Sequence, residues 1–106
     1  MNIVKRVFKY PLPLEVDGPA ARWQDRFTMD LPVGLEILSV QAQHNKPVFW
    51  ALVNPEETMK EKRKFLILNT GGEMPPDVNY HRFYGTVQLN GGGLVFHLFE
   101  DMDVPF

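Results

Sequence analysis

Of the side chains here able to carry chemistry, three histidines, a single serine and the acids Glu100, Asp101 and Asp103 come first. Ser39 lies between Leu38 and Val40 in an alternating run, with no Gly-x-Ser-x-Gly turn to lift its hydroxyl towards a substrate. With no cysteine there is neither a thiolate nucleophile nor a cysteine-based zinc site. His44, His81 and His97 lack the spacing of a metal-ligand pair. The acids lack the spaced ligands and central glycine of a calcium loop and read as a solvated acidic end. Gly91-Gly92-Gly93 leads into a β-prone run, so no helix N-terminus follows to cradle a phosphate. The expectation is therefore no catalytic residue, no metal and no cofactor.

What remains points to binding. Tyr84, Thr86, Gln88 and His97 are a phenol, a hydroxyl, an amide and an imidazole, set by a period of two in paired β-prone runs. All four groups form hydrogen bonds at modest desolvation cost, which suits recognition of a neutral polar surface better than the lysines and glutamates of an ordinary solvated face. The plainer role for His97 is a half-buried histidine bonded to a strand neighbour. Trp23, beside Arg22, has the composition favoured at binding hot spots and joins the candidate set, its plainer role being core packing against the proline-rich loop. Trp50, inside Val48–Val53, is expected in the core. His44 is expected in a solvated turn and His81 at the start of the last hairpin.

The charges narrow the choice of partner. The chain has 11 basic and 13 acidic residues and a net charge of -2, so nucleic acid is not the expected partner. Lys5, Arg6 and Lys9, and Lys60, Lys62, Arg63 and Lys64, read as solvated strand edges and loop surface. The longest apolar run, Val48–Val53, is far below the roughly 20 residues of a membrane-spanning helix. No apolar signal region follows the first charges, which favours the cytoplasm.

The elements that must position these residues are strands. In Tyr84–Glu100 two runs flank an Asn-Gly turn signal, and an even loop places Phe83, Val87, Leu89, Leu94, Phe96 and Leu98 on one face. Tyr84, Thr86, Gln88 and His97 then share the other. Val4–Tyr10, Trp23–Met29, Glu36–His44, Val48–Val53 and Lys64–Leu68 are further strands. Glu36–His44 alternates, with Leu38, Val40 and Ala42 inward, and Val48–Val53 reads as a central strand covered on both faces. Pro47 favours a loop of about four residues, His44–Pro47, which pairs Val40 with Ala51 and Ala42 with Phe49. Asn54–Lys60 reads as a turn or one helical turn, and residues 11–22 as an irregular proline-rich loop whose Leu12, Leu14 and Val16 lie over the core. Residues 101–106 read as an irregular tail. The fold class is all-β: one small antiparallel β-sandwich or partly closed barrel of about six or seven strands.

Phe8-Lys9-Tyr10-Pro11-Leu12, Leu31-Pro32-Val33-Gly34, Ile37-Leu38-Ser39-Val40-Gln41, Trp50-Ala51-Leu52-Val53, Gly85-Thr86-Val87-Gln88 and Leu94-Val95-Phe96-His97-Leu98-Phe99-Glu100 together resemble a family of short bacteriophage and prophage proteins of unknown function. Pro13–Trp23 departs from the shorter connection of that family. The resemblance implies a small accessory protein made in the cytoplasm of an infected bacterium and acting by binding. Its expected partner is a host protein, such as an antiviral defence component, which it inhibits or redirects. The alternatives are a protein that binds or sequesters a small-molecule nucleotide signal, and a minor virion or assembly component. A homo-oligomer is compatible with each, and no membrane is implied.

Overall fold

The computed structural model describes residues 3–13 and 26–102. Leu14, Val16 and Trp23, and the last part of the expected tail, lie outside the described residues. The described residues form seven strands: β1 (Arg6–Pro11), β2 (Arg26–Pro32), β3 (Glu36–Gln43), β4 (Lys46–Val53), β5 (Lys60–Asn69), β6 (Tyr80–Leu89) and β7 (Leu94–Met102). They form two antiparallel sheets, ordered β1-β4-β3 and β2-β5-β7-β6, with no closed barrel among the described residues.

The core lies between the sheets. Phe49 and Ala51 of β4 and Ile37 and Val40 of β3 meet Phe65 and Ile67 of β5, Val87 and Leu89 of β6, and Phe96 and Leu98 of β7. The Phe49 and Phe65 rings join the layers at 6.4 Å between centroids. Tyr10 stacks on Phe49 and Phe27 on Phe65. Contacts of this kind add about 0.5–1.5 kcal/mol per pair to the burial itself. Leu12 is buried in the same cluster, as the sequence suggests.

Two bulges correct the expected faces. Between Ile37 and Ser39 the β3–β4 register slips by one residue, so Ile37 and Val40 both turn inward while Leu38 is 49% exposed. Between Phe83 and Gly85 the β6–β7 register slips in the same way. Beyond that point the hairpin register is the expected even one, with Thr86 opposite His97 and Val87 opposite Phe96 around the loop Asn90–Gly93. Before it the faces exchange. Phe83 pairs with Phe99 on the outer face and is 54% exposed, while Tyr84 turns inward against the core. A bulge places two successive residues of one strand opposite a single partner, which strict alternation cannot anticipate.

Pro47 does not lengthen the β3–β4 connection. Gln43 pairs with Lys46, and His44 and Asn45 form a two-residue turn with φ of 52° and 59°, as a type I′ turn requires. Val40 therefore pairs with Phe49 and Ala42 with Pro47. The Pro47 carbonyl accepts from the Leu12 N–H at 3.0 Å, so its missing N–H falls on the β1 side and no bond to β3 is lost. Trp50 and Leu52 are only half-buried, because β4 is covered fully on its inner face alone. Asn54 closes a turn, accepting from the Glu57 N–H at its backbone and the Glu56 N–H at its side chain, with no helix.

Other boundaries also move. β1 starts at Arg6 and extends to Pro11, and the described part of β2 runs on to Pro32. β5 begins at Lys60 because its charged half pairs with β2, with Lys62 opposite Asp30 and Arg63 opposite Met29. β7 continues through Asp101 and Met102, which pair with His81 and Tyr80 and so are strand rather than tail.

Candidate functional site

The outer face of β6–β7 is built by strand alternation. Along β7, Val95, His97, Phe99 and Asp101 share it. Along β6, His81 and Phe83 precede the bulge and Thr86 and Gln88 follow it. His97 lies at the centre of the polar half. Its Nδ1 is 2.8 Å from Thr86 Oγ1 and its Nε2 2.9 Å from Thr70 Oγ1. Each hydroxyl can donate or accept, so the ring keeps both bonds whichever nitrogen carries the proton. This links β6 to the segment after β5 across β7, and Gln88 is exposed beside it.

The other half of the face is aromatic. The Phe83 and Phe99 rings are 5.3 Å apart, and His81 meets Phe99 edge-on at 5.5 Å. Of the expected binding residues, the structure thus brings together Thr86, Gln88 and His97. Tyr84 leaves the face, and Trp23 lies outside the described residues. Phe83, Phe99 and His81 are the residues that sequence reasoning missed. Their shared spacing with Thr86 and His97 becomes visible only once the bulge is counted.

Tyr84 belongs instead to a buried polar network. Its hydroxyl donates to Glu100 Oε1 at 2.5 Å. Arg63 donates to both Glu100 oxygens, at 2.7 and 2.6 Å, and to the Leu35 carbonyl at 2.6 Å. Glu100 is 4% exposed, and among the described residues no buried side-chain polar atom is left without a partner. Sequence reading placed Arg63 on the surface and Glu100 in an acidic end; the pairing of β5 with β7 brings both inward. The Arg82 guanidinium lies 5.8 Å from the centre of the Tyr84 ring. Hydrogen bonding to Glu100 raises the Arg63 pKa although burial opposes it.

Burial, followed by the bond to Glu100, pushes the Tyr84 pKa from 10.0 up to about 12. Between those values an unfolded tyrosine loses a proton that native Tyr84 keeps, so stability falls as pH rises through the window and is complete below it. Urea unfolding midpoints should therefore decline less steeply across this window in Tyr84→Phe than in the unaltered protein. Parallel declines would mean that the phenol ionises in the folded protein as it does in water.

Beside this network, where β5 begins and β7 ends, a cavity of about 370 Å³ opens among Leu35, Glu61, Arg63, Glu100 and Met102. Its walls carry both signs of charge, and Arg63 is committed to Glu100, Leu35 and Tyr84. No group of three or more metal-ligating side chains occurs among the described residues. No described helix is long and apolar enough to cross a membrane.

Fold and surface together define a small two-sheet antiparallel β-sandwich with a mixed aromatic and polar strip on one outer face. The chain belongs to the family described as Domain of unknown function (DUF7352), whose model matches residues 3–105. Neither the curated proteins nor the solved structures compared with it gave a match.

Proposed function

We propose that this domain is a bacteriophage accessory protein that binds a host protein in the bacterial cytoplasm and inhibits or redirects it. The observation supporting this reading is the continuous strip on β6–β7, where exposed Phe83 and His81 both pack on Phe99 beside the Thr86, His97 and Thr70 bonds. An aromatic anchor next to oriented hydrogen-bonding groups has the composition of an interface centre rather than of a solvated strand. Sequestration of a nucleotide signal is the second reading, and the cavity beside Arg63 is its candidate location. Its walls balance Glu61, Glu100 and Asp101 against Lys62, Arg63 and Lys64, and Arg63 is already held by Glu100, so they offer a polyphosphate no excess of positive charge and the protein-binding reading stands first.

The test begins with tagged protein recovered from phage-infected bacteria, followed by reconstitution of any partner from purified components. Phe83→Ala, and separately the pair Thr86→Ala with His97→Ala, should each weaken the Kd at least tenfold, a loss of about 1.4 kcal/mol. Their melting temperatures should fall less than that of Val87→Ala, which removes a fully buried side chain. Unchanged binding by both surface variants would refute the assignment of the face. Release of a nucleotide on denaturation, with no protein partner, would transfer the function to the second reading.

A further inference from the structure

A second surface lies on the other sheet and does not depend on the strip just described. Among the described residues, strand β1 pairs with β4 and nothing pairs with its other side. The Leu12 N–H to Pro47 C=O bond sets the phase of that ladder, with Leu12, Tyr10, Phe8 and Arg6 bonding inward to β4. By antiparallel alternation, Lys5, Val7 and Lys9 then direct their N–H and C=O groups away from the sheet. Pro11 is next in that outward set, so the ring that cannot donate costs the β1–β4 ladder nothing and closes the free row at one end.

Lysine at such an edge commonly guards against stray pairing. Here the Lys9 ammonium is drawn back across β4, where it donates to Gln43 Oε1 on β3 at 2.7 Å, and so lies over its own sheet rather than beyond the edge. Val7 is 58% and Phe8 41% exposed, one on each face of the strand, which a guarded edge does not require. Residues 3–13 contain Lys5, Arg6 and Lys9 and no acid. A strand with free ladder groups, apolar side chains on both faces and charge of one sign selects its complement by hydrogen bonding, burial and charge together.

We infer that the free edge of β1 is a docking site for an extended, acidic peptide segment of another protein, which adds to the sheet as a fourth strand beyond β1.

The probe is a synthetic peptide of alternating glutamate and valine, with a lysine-for-glutamate peptide as its counterpart, added to the isotopically labelled full chain. The acidic peptide should slow hydrogen exchange at the Val7 and Lys9 amides at least tenfold, leave the already bonded Phe8 amide unchanged, and bind at least tenfold more tightly than the basic one. Val7→Pro removes one outward N–H without touching a β4 bond and should weaken binding at least tenfold. If that variant does not fold, Lys5→Glu with Arg6→Glu replaces it and should produce the same loss. Equal affinity for the two peptides, protection at other amides, or binding unaffected by these substitutions would overturn the proposal. So would concentration-dependent dimerisation that protects the same amides without peptide, since the edge would then belong to a second copy of this chain.

Discussion

Replacing Glu100 by alanine is expected to destabilise the protein by about 3–5 kcal/mol, among the largest effects of any single substitution in it. Arg63 has 14% side-chain exposure, and its guanidinium meets the Glu100 carboxylate through two bonds. Without Glu100 that cation remains in a site with little access to water, and the Tyr84 hydroxyl loses its acceptor as well. The cost comes from stranding the charge rather than from any large net value of the pair. The combined replacement of Arg63 by methionine, Glu100 by leucine and Tyr84 by phenylalanine should accordingly lie closer to the unaltered protein than Glu100→Ala does. The Leu35 carbonyl then needs a new donor, which water from the adjoining cavity can provide. Urea denaturation of the single and combined variants measures both quantities. A loss below about 1 kcal/mol for Glu100→Ala would place the pair in the class of solvated surface bridges.

Gly85→Ala is expected to cost about 2–4 kcal/mol, through backbone strain and overpacking together. Gly85 has φ of +156°, and a Cβ built there would lie 2.8 Å from Val40 Cγ1, inside any normal contact distance. The bulge at this point holds β6 close against β3, and only a residue without a side chain allows the approach. Each kcal/mol should lower the melting temperature of a domain this size by about 4–8 °C. Adding Val40→Ala removes the opposing methyl while leaving the backbone strain. The double variant should therefore lose less than the sum of the two single losses, by about 0.5–3 kcal/mol. Strict additivity would show that the two strands separate freely at this point.

Together these substitutions probe the two features that decide which side chains face out of β6–β7. The bulge turns Tyr84 in to Glu100 and Phe83 out to Phe99, and so converts an expected face of four polar groups into one that is half aromatic.

Local pattern in the sequence was enough to determine the fold class, the hairpin register around Thr86 and His97, and the burial of Val87, Leu89, Phe96 and Leu98, because period-two alternation and turn chemistry act over a few residues. Only the tertiary structure decided which alternations break. The bulges at Leu38 and at Tyr84 and Gly85 satisfy packing between sheets, and nothing in residues 36–40 or 82–86 taken alone reports what they pack against. Pro47 misled for a related reason. A proline is excluded from a ladder only on the side where its N–H is needed, and that side is set by the pairing of β1 with β4, far away in the chain. Arg63 and Glu100 look like surface charges because each belongs to a charged run. They are buried because β5 and β7 become neighbours in the sheet and direct the two side chains to the same inner face, and a charge finds its partner across that distance only after the chain has folded.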